Sequence, residues 1–201
     1  MLKIGLTGSI AVGKTFVTEV FRELGCFVLD ADKTAREVVE TGTIGWQKIV
    51  ENFGRKVLNA DDSLNRAALG AIVFADAEKR QLLNSILHPL VFDSQNEWLT
   101  RVEAENSKAI AIIDAALMIE SGGYKRFDKI IVVWCQPDIQ IERLMKRNNF
   151  SPEEAVQRIA AQMPQDEKKR YADFLIETTA GFDEAKRQTE RVFEKLIELA
   201  N

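Results

Sequence analysis

Three observations predict an α/β fold organised around a five-stranded parallel sheet. Five short apolar runs have strand character, at residues 3–6, 26–29, 109–113, 129–134 and 174–176. Helical patterns fill the intervals between them, and the first run passes through a glycine-bearing turn straight into a helix. A chain of 201 residues supports one sizeable core with insertions, and 46% apolar with 29% charged residues is the composition of an ordinary folded protein.

The elements are justified in order. After Leu2-Lys3-Ile4-Gly5-Leu6, the residues Phe16, Val17, Val20, Phe21 and Leu24 fall on one helical face across 13–24, and Gly25 supplies the stop. The second run, Phe27-Val28-Leu29, ends at Asp30 and leads into a helix. From 61 to 106 the strand pattern is missing. Helices are expected there at 66–74, 78–87 and 89–105, with His88 closing one helix and Pro89 opening the next. The third and fourth runs restore the strands. Between 139 and 171, arginine and lysine crowd onto helical stretches split at Ser151-Pro152 and Met163-Pro164. An amphipathic helix at 184–199 follows the last run and reads as a cover for the sheet. The domain reading is a core of 1–60, 107–138 and 172–201, a helical insertion at 61–106 and a basic flap at 139–171.

Composition excludes several classes. A net charge of −4 argues against a general nucleic-acid binder, which needs a basic surplus to replace counterions on phosphates. Cys26 and Cys135 are the only cysteines and have neither C-x-x-C nor metal-ligand spacing, so a reduced, cytoplasmic setting is expected. No signal peptide is expected, because Met1 leads directly into the first strand, and no membrane span is expected. The longest apolar stretch, 109–119, is interrupted by Asp114 and falls short of the roughly 20 residues a spanning helix needs.

The strongest chemical signal is Gly8, Ser9, Ile10, Ala11, Val12, Gly13, Lys14 and Thr15, which fits G-x-x-x-x-G-K-[ST] in the strand–turn–helix setting that motif requires. Backbone N–H groups of such a P-loop hold phosphate oxygens and the helix dipole adds favourable charge. Lys14 would neutralise the β- and γ-phosphates, and Thr15 would offer its hydroxyl to Mg²⁺. ATP with Mg²⁺ is therefore the expected nucleotide, and Phe16, next in the chain, joins the nucleotide-contacting set. With this motif the fold reading becomes a three-layer P-loop kinase-type core carrying the helical insertion and the flap.

Asp30 and Asp32 lie where the second strand runs out, the edge at which open α/β sheets bind ligands. A carboxylate there either takes the proton of an attacking hydroxyl or caps the next helix, and the residues alone do not rank Asp30 against Asp32. Asp114 closes the third strand, the place of a Mg²⁺-holding carboxylate or of a turn-initiating cap; Glu120 is a further acidic candidate. Arg143 and Arg147 share a helix face, with Lys146 beside them and Arg158 on the next helix. Such a face either closes over phosphates or is simply solvated.

Taken together, these residues resemble the dephospho-CoA kinase family over essentially the whole chain. The resemblance rests on Ile4-Gly5-Leu6-Thr7-Gly8 running into the P-loop, Leu29-Asp30-Ala31-Asp32 with Ala35-Arg36, Asn65-Arg66 with Leu69, and Leu87-His88-Pro89. It continues with Arg143-Leu144-Met145-Lys146-Arg147, Arg158-Ile159, Ala161-Gln162-Met163-Pro164, and Lys168 to Ala172-Asp173. The resemblance implies ATP-dependent phosphorylation of the ribose 3′-hydroxyl of dephospho-CoA, with Asp32 as general base and Lys14 and Arg143 as its catalytic companions. It implies nucleotide contacts from the P-loop, Phe16 and Arg147, and Mg²⁺ at Thr15 and Asp114. The implied substrate-binding set is Asp32, Arg66, His88, Leu117, Glu120, Arg158 and Gln162, with the insertion as acceptor-binding domain and the flap as lid.

Three departures from the family pattern stand out. Ser9, Ala11 and Val12 occupy a loop that is usually richer in glycine. Ala116-Leu117-Met118-Ile119-Glu120 replaces a Pro-Leu-Leu-Phe-Glu run, and Thr178-Thr179-Ala180-Gly181 replaces an Asn-x-Gly-like turn near the base. Backbone recognition of adenine is expected there. The rival readings are a kinase for another small hydroxyl acceptor, such as a nucleotide or sugar acid, and a nucleotide-dependent switch. The switch lacks the Asn-Lys-x-Asp motif a GTP-binding version commonly carries.

Overall fold

The computed structural model describes residues 1–200 and divides into two units, Met1–Asp30 with Val102–Asn201, and Ala31–Arg101. In the first unit the five apolar runs become β1 (Leu2–Thr7), β2 (Phe27–Asp30), β3 (Ile110–Asp114), β4 (Lys129–Trp134) and β5 (Phe174–Glu177). All pair in parallel in the order β2-β3-β1-β4-β5. The register sets Leu6 opposite Asp114 and Thr7 opposite Val132, so β1, β3 and β4 end close together beneath the P-loop.

Alternate residues of the strands face opposite ways. Ile4, Leu6, Ile112, Ile131, Val133 and Ile176 pack against Val17 and Phe21 of α1 (Lys14–Glu23) and against Val192 and Leu196 of α9 (Phe182–Ala200). The opposite face carries Ile130 and Val132, covered by Met118 and Ile119 together with Tyr124, Phe127 and Met163. Each fully buried large apolar side chain contributes about 1.5–3 kcal/mol, so this double-faced sheet dominates the stability of the unit. Cys26 and Cys135 are both buried in the first of these clusters, and burial pushes the Cys26 thiol up to about 12.

The basic stretch belongs to this same unit and consists of α6 (Pro137–Asn148), α7 (Pro152–Ala160) and α8 (Gln165–Lys169). Pro137 and Pro152 each open a helix, where a missing N–H costs nothing. Ser151 and Glu154 form a capping box on α7.

The second unit comprises α2 (Ala31–Glu37), α3 (Ile44–Phe53), α4 (Arg66–Ala75) and the first part of α5 (Ala77–Glu105). It starts well before residue 61, where the sequence placed the insertion. The reason is that Val39, Ile49, Phe53 and Val57 share one apolar cluster with Leu69 and Ile86. Thr43 and Asn65 cap α3 and α4 through their side chains. The expected break at His88-Pro89 is corrected: α5 runs unbroken through Pro89. Leu82, Leu83, Ile86, Leu87 and Leu90 keep the helical period across the proline and pack into the same cluster, which outweighs one lost backbone hydrogen bond. Among the described residues no helix is long and apolar enough to cross a membrane.

Candidate active site

The P-loop is shaped by what surrounds it. A Cβ on Gly8 would lie 2.5 Å from the Val133 carbonyl oxygen, so the turn can pass this closely over β4 only without a side chain. Gly13 is the N-cap of α1 at φ 88°, and no side chain caps the helix there. The leading N–H groups of α1 have no intrahelical partner, so the positive end of the helix dipole is open to an anion. Between these glycines Ala11 sits at φ 61°, a left-handed conformation that costs a residue with a Cβ about 1–2 kcal/mol.

Polar side chains from several elements hold this turn. The Ile10 N–H donates to Gln162 Oε1 at 2.8 Å, and Gln140 Nε2 donates to the Ile10 carbonyl at 2.7 Å. On the far side, the buried Thr178 hydroxyl donates to the Val12 carbonyl at 2.6 Å. Arg143 Nη1 donates to that hydroxyl and Nη2 to the Thr178 carbonyl, both at 2.7 Å. Arg143, expected to close over phosphates, is thus engaged with the segment after β5. Burial raises the neighbouring Cys135 thiol, and the Arg143 charge opposes part of that rise. Ser9 Oγ is buried with no hydrogen-bond partner among the described residues.

The charged centre lies at the end of β3. Asp114, 6% exposed, pairs with the Lys14 ammonium through one carboxylate oxygen and accepts from Thr18 Oγ1 at 3.0 Å through the other. Asp114 is therefore neither a turn-former nor a helix cap. Its two partners come from α1, one turn apart, because residues four apart share a helix face. Thr15 is exposed at the start of α1. Thr18 was missed in the sequence; its i,i+4 spacing from Lys14 is the signal that would have found it.

Glu120 is held by a different cation. Lys168, fully buried, pairs with Glu120 at 2.9 Å and donates to the Ala116 carbonyl at 2.8 Å, an oxygen that also accepts from Thr7 Oγ1 at 3.2 Å. Glu120 further accepts from the Met163 N–H at 3.3 Å. Leu117, between these anchors, is exposed. Arg147 is exposed and donates to Asn148 Oδ1 at 2.8 Å, and Arg158 lies 5.8 Å from the centre of the Phe150 ring.

The remaining expected residues lie in the second unit. Asp32 is exposed in the first turn of α2. Arg66 Nη2 donates to the Arg36 carbonyl at 3.2 Å and lines a cavity of about 160 Å³ with Leu64, Leu69, Val73 and Leu87. His88 is exposed on α5, its ring 5.9 Å from that of Phe92.

This architecture has known counterparts. A family profile described as dephospho-CoA kinase matches residues 2–184. The dephospho-CoA kinase of Listeria monocytogenes serotype 4b is 45% identical over 185 residues, 92% of each chain. A solved Thermus thermophilus structure at 30% identity superposes with a TM-score of 0.84 over 97% of both chains. Dephospho-CoA kinase from Campylobacter jejuni, at 28% identity, superposes with 0.74 over 98% of this chain and 97% of that one. Similarity that begins at residue 2 and runs past β5 takes in every site residue described above, and the chain belongs to the dephospho-CoA kinase family.

Proposed function

We propose that this chain transfers the γ-phosphoryl group of ATP to the ribose 3′-hydroxyl of dephospho-CoA, giving CoA and ADP. The observation that carries the reading is the gathering of Lys14, Asp114 and Thr18 beside the uncapped N-terminus of α1, in a chain of this family. A triphosphate entering that turn needs cationic compensation, which Lys14 supplies by exchanging Asp114 for phosphate oxygens.

Thr15 and Asp114 fit Mg²⁺, a hard cation that takes one or two protein oxygens and completes its shell with water and phosphate. When bound, it neutralises charge on the β- and γ-oxygens. Asp32 accepts the proton of the 3′-hydroxyl as the new P–O bond forms and the bond to the β–γ bridging oxygen breaks, the electron pair leaving with ADP. Support for Asp32 is its exposure in the first turn of α2, two residues beyond Asp30, whose register partner is Asp114. Arg143 steadies the nucleotide end through Thr178, Arg147 supplies positive charge to the phosphates, and Arg158 joins the acceptor-binding set. Arg66, His88, Leu117 and Glu120 contact the acceptor.

The test is ADP release from ATP and Mg²⁺ with dephospho-CoA against no acceptor, with mass detection of the product. Acceptor-dependent ADP matched by CoA is expected. ATP binding with no CoA formed would defeat the acceptor assignment while leaving nucleotide binding intact.

A further inference from the structure

Gln140 is almost completely buried, at 1% exposure, on a helix whose neighbouring arginines draw attention as phosphate ligands. Its amide is oriented by a one-way chain of hydrogen bonds. The Cys135 N–H, one residue past the end of β4, donates to Gln165 Oε1 at 3.1 Å, and Gln165 Nε2 donates to Gln140 Oε1 at 2.8 Å. The backbone donor at the start of the chain leaves Gln140 only one way round, with its NH₂ toward the Ile10 carbonyl. Gln162 takes the N–H of the same residue, so the backbone of Ile10 is gripped through both its donor and its acceptor by side chains of different segments.

The next residue is Ala11 at φ 61°. Strained backbone persists where its surroundings over-determine it, and the double grip on Ile10 is such a surrounding. We propose that Gln140 is a positioning residue for nucleotide binding: with Gln162 it clamps Ile10 and thereby holds the left-handed turn at Ala11 in the form that receives phosphate. This inference rests on the nucleotide reading of the P-loop.

The test is a cycle of four proteins: wild type, Gln140→Met, Ala11→Gly and the double variant. ATP affinity in the presence of Mg²⁺ is measured by calorimetry and thermal stability by circular dichroism. Methionine keeps the volume of the buried side chain and removes the amide. Gln140→Met is expected to weaken ATP binding about ten-fold, the scale of one or two buried hydrogen bonds. In the Ala11→Gly background, where the turn needs no restraint, the same change is expected to cost about three-fold or less. Equal losses in both backgrounds overturn the proposal, as does a Gln140→Met protein that melts earlier but binds ATP like wild type. If Gln140→Met does not fold, Gln162→Leu, at a half-buried position, is put through the same cycle with the same expectation. A wild type that binds no ATP defeats the nucleotide reading and this inference together.

Discussion

Replacing Thr178 by valine removes a hydroxyl and keeps the shape of the side chain, so its effect isolates the hydrogen bonds. The hydroxyl is fully buried, donates to the Val12 carbonyl at 2.6 Å and accepts from Arg143 at 2.7 Å. A neutral bond is worth about 1 kcal/mol, and one from a charged donor about 1.5–3 kcal/mol. Arg143 keeps its second bond, to the Thr178 carbonyl, which offsets part of the charged loss. The net expectation is about 2–3 kcal/mol of destabilisation. For a chain of this size each kcal/mol moves Tm by roughly 2–4 °C, so the midpoint should fall by about 5–10 °C. Scanning calorimetry measures the fall, and titration with ATP should show weaker binding, because Val12 precedes the N-cap of α1. Thr178→Ser, which keeps the oxygen, should recover most of both effects. A Thr178→Val midpoint within about 2 °C of wild type would show that Val12 and Arg143 do not depend on this hydroxyl, and would refute the reasoning.

Three further outcomes are expected. Lys14→Met should lower kcat/KM for ATP by about 10²–10³-fold, the usual loss when one pre-placed charge donor is removed, as read in the coupled ADP assay. Asp32→Asn should reduce kcat by about 10²–10⁴-fold while calorimetric ATP affinity stays unchanged, the pattern of a lost general base. Asp173 titrates below the ordinary carboxylate range: burial pushes it up, but its bonds to Lys129 Nζ and to the Ile130 N–H together more than reverse that. A depressed folded-state pKa gives stability that is present above the unfolded value and lost as pH falls through the folded one. Urea midpoints of the wild type should therefore drop more steeply below about pH 4 than those of Asp173→Asn.

Much of the fold could be read along the chain because its signals are local. The strands are short apolar runs; those of the central β1, β3 and β4 are largely buried within the parallel sheet, and β4 begins and ends where its run does. The P-loop was equally legible, since its glycines and Lys14 are adjacent in sequence. What escaped depends on partners far away in the chain. Arg143 looked like a phosphate ligand because nothing near it in sequence marks Thr178, 35 residues on, as its partner. Gln140 stands one helical turn before the buried Leu144, and that polar residue on an apolar stripe was the available hint of a buried contact. Its target, Ile10, is 130 residues away. Pro89 misled for the opposite reason. A strong local signal lost to the packing of Ile86, Leu87 and Leu90 on either side of it.

The placement of the two cysteines makes the first unit its own spectator. Cys26 and Cys135 are the only thiols in the chain, both are buried, and both fall within that unit, while Ala31–Arg101 contains none. A thiol reagent added to the untouched protein can react only when the sheet and its covering helices open, since an alkylating agent needs an accessible thiolate. Labelling kinetics therefore time the openings of the nucleotide-side unit alone, while far-UV ellipticity sums both units. A difference between the two time courses would resolve the sequence in which the units unfold, without the introduction of a single probe.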